Sequence, residues 1–416
     1  MTDPSKPLSL FDGYGVEIES MIVDSKSLDV RSLSDEVLKS AAGDYVSEVE
    51  LDGFCWSNEL VLHVIEVKTN GPRRTLDGLG GEFLTQFQTI NRLLAQHGAQ
   101  LMPTAMHPWM NPDTDTRLWP HENNEIYDAY NRIFNCHGHG WSNLQSVHLN
   151  LPFATEEEFV RLHAAIRLVL PLIPALAASS PLADGHPTGF LDYRLEVYRK
   201  NQKLVPSVTG LVIPESVRSI EEYRTEILET MYRDISPYDP EGILQEEWLN
   251  SRGAIARFER NTIEIRVIDT QESPLMDLAV AQAVVSVIKA LVEERWCSIK
   301  DQLSCPTEPL SELLKKTIRQ GDSCLIDDRQ ILKLFDTTQQ QPIEARHLWK
   351  RLLEDLGAPV EDGPLSILFK EGCLARRILA VLKTNPVHQR IAQVYRHLCD
   401  CLEKGKTFTM SFTGSL

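Results

Sequence analysis

The longest apolar run of this 416-residue chain, LVLPLIPALAASSPL at 168–182, is interrupted by prolines and too short to cross a bilayer. The N-terminal MTDPSKPLSLFDGYG lacks the charged start and apolar core of a secretory signal. No basic cluster is present: Lys plus Arg number 42 against 59 Asp plus Glu, for a net charge of −17. That balance excludes nucleic acid and anionic membrane as main partners, since both reward grouped Lys and Arg. The eight cysteines show no CxxC pairing and no compact framework, so free thiols in a reducing cytoplasm are expected. Neither GxxxxGK[ST] nor a strand–GxGxxG–helix unit occurs, so ATP, if bound, is held by neither a P-loop nor a Rossmann turn. The HExxH helix and zinc-finger spacings are absent as well.

What is present is ordinary globular composition, 42% hydrophobic and 24% charged, in a chain long enough for a large core. Alternation predicts a strand over 13–24, with Glu17, Glu19 and Met21 on one face and Val16, Ile18 and Ile22 on the other. Further strands are expected at 60–69 and 144–152, and two more with a tight reversal near Arg260–Asn261 within 254–269. Leu76, Leu79, Phe83, Phe87, Ile90 and Leu94 carry helical spacing over 75–97, with Gly78, Gly80 and Gly81 inside that pattern and Gly98 as C-cap. Thr155 with Glu158 forms a capping-box pattern for a helix that Pro171 and Pro174 kink or end. From about 275 the pattern is helical, including 275–294, 365–382 and 387–402. The expected class is α+β, with a domain at 1–290 and a helical region at 291–416 packed on it or on a second copy in a homo-oligomer.

Acids occupy strand positions that normally carry apolar residues. Glu17 and Glu19 project from one strand, Glu66 interrupts a Val/Ile-rich one, and Glu264 interrupts TIEIRVID. Buried acids are costly unless paired or metal-bound, and a set of them on strands points to a hard-cation site. Glu59 is seven residues from Glu66 and would face the other way on an unbroken strand, so a turn before the strand, rather than a bulge, is expected there. Arg266 shares a face with Glu264, either as a plain ion pair or as a clamp on a transferring phosphoryl group. Glu264→Gln is expected to abolish turnover with little loss of stability.

His148 alternates with Ser146 and Asn150 and is read as a metal ligand or as oriented towards one; His137 and His139 read as a Gly-rich turn. A metal-dependent hydrolase built on these three histidines is a competing reading. His63, His97, His163 and His397 belong to no cluster and read as structural or solvated. After the Gly185–Gly189 loop, Arg194 and Arg199 suit a substrate carboxylate, and equally suit a surface.

Five stretches in order resemble the glutamate–cysteine ligase family, and more closely its bacterial carboxylate–amine ligase branch: YGVEIES at 14–20, NELVLHVIEVKTNGP at 58–72, SVHLN at 146–150, ALAASSPLADGHPTGFLDYR at 175–194 and NTIEIRVIDTQ at 261–271. The resemblance implies a curved, mostly antiparallel sheet of glutamine synthetase type with flanking helices. It implies that Glu17, Glu19, Glu59, Glu66, His148 and Glu264 bind Mg²⁺ (or Mn²⁺), that Arg266 contacts the terminal phosphate of ATP, and that Arg194 lies near the acid substrate. The implied chemistry is phosphorylation of a carboxylate, typically that of glutamate, and attack on the acyl phosphate by an amine such as cysteine. Two departures, His186 after the loop glycine and the His- and Gly-rich HGHGWSNLQ, fall where substrate choice is made. A non-catalytic homologue that binds nucleotide or amino acid is the alternative from another class.

Overall fold

The computed structural model describes residues 7–335, 341–384 and 386–412. Its first strand, β1 (Gly15–Asp24), follows the expected alternation: Val16, Ile18 and Ile22 are buried in the main core, and Glu17 and Glu19 project from the opposite face. The other strands among the described residues are β2 (Glu48–Leu51), β3 (Phe54–Asn58), β4 (Val64–Thr69), β5 (Ala99–Met102), β6 (Ser146–Pro152), a short pair of β7 (Leu182–Ala183) with β8 (His186–Pro187), then β9 (Ala254–Arg257), β10 (Thr262–Asp269) and a second short pair of β11 (Leu325–Ile326) with β12 (Ile343–Glu344).

The main sheet has eight strands in the order β2-β3-β4-β1-β6-β10-β9, with β5 also paired to β1. Every pairing in it is antiparallel. β1 is the hub. Along one side it bonds β4; along the other, its first half bonds β6 and its second half β5.

Helices cover the apolar face. The helix Leu79–Ala95 buries Phe83, Phe87, Ile90 and Leu94, and Glu156–Val169 and Pro274–Val292 complete the layer. Gly80 is where the first of these meets the third: an added Cβ would lie 3.1 Å from the Pro274 carbonyl oxygen. Gly78 differs from expectation, standing outside the helix as its left-handed N-cap at φ 77°. Pro274–Val292 is apolar and long enough for a membrane span, but most of it is buried, as befits a core helix.

Proline ends the helix after Thr155 as expected, with a 3₁₀ turn at Leu170–Leu172 and a short helix at Pro174–Ala177. Thr155 caps the Glu158 amide, but the Glu158 carboxylate bonds the Ala154 amide and not that of Thr155. β4 begins four residues later than predicted, because Val61 bridges Leu118 and the chain turns at Val61–Val64. The reversal at Asn261, φ 51°, is as expected. Gly372, φ 89°, splits the expected helix at 365–382 into Ser366–Glu371 and Leu374–Leu382.

The C-terminal helices close one end of the acidic face. Met21 and Val23 continue the face that bears Glu17 and Glu19, and they pack with Ile391, Val394 and Tyr395 of the helix His388–Lys404. The fully buried Arg377 donates to Glu272 at 2.6 Å, tying helix Leu374–Leu382 to the segment after β10. All eight cysteines are free and buried.

Candidate active site

Strand register assembles the polar groups. Ser57 stands opposite Glu66, Glu66 opposite Glu19, Glu17 opposite His148, and Asn150 opposite Glu264. Opposed residues share a face, so these side chains form one polar band on the side away from the main core. Ser57 Oγ donates to Glu66 Oε2 at 2.7 Å, the Ser146 amide donates to Glu19 Oε2 at 2.7 Å, and Asn150 Nδ2 donates to Glu17 Oε1 at 3.0 Å. His148 lies at the centre, with Nδ1 3.2 Å from Glu17 Oε2 and Nε2 2.9 Å from Ser146 Oγ.

The charges are unevenly settled. Burial opposes ionisation of Glu17, yet the hydrogen bond and charge of His148 outweigh it and hold this carboxyl at about 2. Burial works against the His148 cation too, but its bond to Glu17 and the charge of Glu19 hold it up at about 9. Glu66 is pushed up to about 7 by burial and by Glu17. Glu59 is raised well above the carboxylate range by burial, with Glu19 and Glu66 adding repulsion. Crowded carboxylates of this kind are short of positive charge.

Two donor groups emerge among the described residues: Glu17, Glu66 and His148, and Glu19, Glu59 and Glu66, each with ligand atoms within 4.8 Å of one another. Glu66 belongs to both. Oxygen-rich groups of this kind suit Mg²⁺ or Mn²⁺ better than zinc, so the residues present fit the implied cation. Glu59 joins from the segment directly after β3, in keeping with the expected turn.

Glu264 has different company. Its Oε1 is 3.1 Å from Arg266 Nε and its Oε2 3.1 Å from Arg257 Nη1, while His148 Nδ1 is 3.8 Å away. It is thus on the band but outside both donor groups, gripped by two guanidinium groups. Arg257 escapes sequence reasoning, because its link to Glu264 is diagonal across a strand pair.

A bulge in β10 sets the other anchor. Ile265 pairs with Leu149 and Ile268 with Val147, so Arg266 and Val267 together oppose His148. The extra residue reverses the parity. Asp269, five positions from Glu264, therefore reaches the same face and takes Arg194 Nε at 2.5 Å. Asp269 also accepts from the Ser179 amide and Ser180 Oγ, both at 2.9 Å. Arg194 Nη2 is buried with no partner among the described residues, as an anion-binding arginine requires.

A cavity of about 450 Å³ opens above the band. Glu19, Glu59, His148, Arg194, Arg257 and Arg266 line its sheet side. The facing wall is aromatic, with Tyr127 and Tyr130 from the helix Asn124–Phe134, together with Trp141, Tyr198 and Trp248. Nothing in the local sequence pattern marks these rings, which come from four separate segments. Arg199 does not line this cavity; it pairs with Glu196 at 2.7 Å. His139 bonds Asp184 and Asn143, and neither it nor His137 joins His148 in a donor group among the described residues. His63 Nε2 donates to the Ser142 carbonyl, and His163 is buried between Phe159 and Tyr223, both as structural residues.

The model of glutamate–cysteine ligase family 2 matches residues 14–361 of this chain. An uncharacterized protein of Archaeoglobus fulgidus is 33% identical over 377 residues, 90% of this chain and 94% of that one. A protein of Roseiflexus castenholzii, provisionally named glutamate–cysteine ligase 2, is 26% identical over 410 residues, 92% of this chain and 93% of its own. In fold, the chain resembles the Francisella tularensis glutamate–cysteine ligase solved in complex with AMP, with a TM-score of 0.61 at 13% identity, covering 96% of this chain and 90% of that one.

Proposed function

Since this chain belongs to glutamate–cysteine ligase family 2, we propose that it is an ATP-dependent carboxylate–amine ligase working with Mg²⁺ or Mn²⁺. The observation that carries this reading is the convergence of Glu17, Glu19, Glu59, Glu66 and His148 in two donor groups, with Glu19, Glu59 and His148 sharing one cavity with Arg194 and Arg266. Such a band matches what transfer of a phosphoryl group to a carboxylate demands, which is charge neutralisation and positioning more than covalent help.

The acid substrate, with glutamate as first choice, sets its carboxylate against Arg194, whose orientation Asp269 fixes from behind. Arg266 and Arg257, spread by Glu264, present positive charge to the polyphosphate of ATP. The substrate carboxylate oxygen takes the terminal phosphoryl group, giving acyl phosphate and ADP. The neutral amine then attacks the carbonyl carbon, the C–O bond to phosphate breaks, and the amine proton is lost as the amide forms. The divalent cation supplies charge neutralisation at phosphate oxygens when bound.

Ser146, His148 and Glu17 are spaced like a hydrolase triad, yet they do not support that reading. Ser146 Oγ donates to Glu19 Oε2 at 3.1 Å, so its proton is directed away from His148, whose ring stands instead among the carboxylates of the donor groups.

The test is release of ADP and phosphate from ATP and Mg²⁺ with glutamate and a panel of amines. Release that requires both acid and amine supports the ligase; ATP binding without release for any acid–amine pair favours the non-catalytic homologue.

A further inference from the structure

The aromatic wall is not needed to move a phosphoryl group, and its position restricts what can occupy it. The Tyr130 ring lies 5.3 Å from that of Trp141 and 5.9 Å from that of Trp248, and all three line the cavity. Their planes are inclined by 52° and 50°, so the rings pack on one another as one continuous wall of the cavity. Trp141 Nε1 is buried without a partner among the described residues, so the protein alone does not satisfy this wall.

The wall lines the same cavity as Arg194 and Arg266. Burial pushes the Tyr130 and Tyr198 hydroxyls up in pKa, and the Arg266 charge opposes that rise at both. Tyr127, likewise pushed up by burial, feels the charge of Glu59. A nucleobase is held away from the transferred phosphate by a ribose and two further phosphates. An attacking amine must instead come within about 3–3.5 Å of the carbonyl carbon. Rings that share one cavity with Arg194 and Arg266 are therefore within reach of the acid and the amine. The acid already has its charged anchor in Arg194 on the sheet side, which leaves the rings to the amine.

We propose that the amine acceptor carries an aromatic ring and is selected by Tyr130, Trp141 and Trp248. This rests on the ligase reading above and names its second substrate class. A short polar side chain such as that of cysteine leaves these rings in contact with water, whereas a flat apolar group replaces that water with ring contacts. Trp141 lies within HGHGWSNLQ, the same His- and Gly-rich stretch that departs from the family pattern.

The test is calorimetric binding of 2-phenylethylamine and tryptamine, compared with cysteine and adenosine. It uses the full chain in Mg²⁺, with and without glutamate and a non-hydrolysable ATP analogue. The ring-bearing amines are expected to bind at least about tenfold more tightly than cysteine; Trp141→Ala should erase that margin, and Trp141→Phe should keep most of it. Should Trp141→Ala not fold, Trp248→Leu is measured in the same way. Cysteine binding as tightly as the ring amines overturns the proposal, and so does a Trp141→Ala defect confined to adenosine. Ring-amine binding that depends on Trp141 but never couples to ADP release leaves the acceptor site standing and removes the ligase reading.

Discussion

Arg194 and Asp269 meet at 2.5 Å in a fully buried pair, although one comes from a short helix after the β7–β8 hairpin and the other from the end of β10. The bulge at Arg266–Val267 makes the meeting geometrically available. It turns Asp269 towards the cavity side and so couples the anion anchor to the strand that carries Arg266.

Asp269→Asn should therefore cost both stability and substrate binding. Removing one partner of a buried pair leaves the other charge uncompensated, a penalty of about 3–5 kcal/mol. Denaturant unfolding measures the first effect and the KM for the acid substrate the second. Wild-type values for both would mean that Asp269 does not hold Arg194.

Glu66→Gln separates metal binding from folding. Glu66 belongs to both donor groups and is repelled by Glu17, so the metal-free variant should be at least as stable as the wild type. Saturating Mg²⁺ or Mn²⁺ should stabilise the wild type, by about 2.7 kcal/mol at a hundredfold excess over Kd, and stabilise the variant far less. Equal stabilisation of both proteins by the cation would exclude Glu66 from the site.

Glu264→Gln was expected from sequence to spare stability while removing turnover. The structure changes the first half of that expectation. Glu264 is buried and holds both Arg257 and Arg266, so the variant should lose activity and also about 1–3 kcal/mol of stability, read from thermal or denaturant unfolding. Full activity would remove Glu264 from the catalytic band altogether.

His163 makes a pH prediction that does not involve the active site. Burial, with the charges of Arg167 and Arg252, holds it down at about 3 against 6.5 when exposed. Between those values the unfolded chain binds a proton that the native protein does not, so this residue removes stability as pH falls below 6.5. Neither ring nitrogen has a partner among the described residues, and the ring packs on Phe159 and Tyr223. His163→Phe should thus lose no hydrogen bond and gain about 2 kcal/mol relative to wild type at pH 5, at about 1.36 kcal/mol per unit below 6.5. At pH 7.5 that gain should vanish. An identical difference at both pH values would show that native His163 takes up a proton as readily as the unfolded chain does.

The local pattern alone disclosed the acidic face of β1, the strand containing Glu66, the strand containing His148, Ser146 and Asn150, and the reversal at Asn261. These features depend on alternation within one strand, which a sequence carries directly. The ordered segments from YGVEIES to NTIEIRVIDTQ also sufficed to place the chain in its family. The strands Glu48–Leu51, Phe54–Asn58 and Ala99–Met102 were not legible, because they are short and gain their order by pairing.

Only the tertiary structure decided which groups meet. Glu17 and His148 are 131 positions apart, and no local periodicity fixes a register over that separation. The bulge in β10 added one residue and so reversed the parity that sequence alternation assigns to Asp269. The aromatic wall gathered Tyr130, Trp141 and Trp248 from separate segments into contact. Alternation is a property of each strand alone, whereas register, bulges and ring contacts arise from bonds between distant strands and from packing. The acids could thus be named from the sequence, but their partners could not.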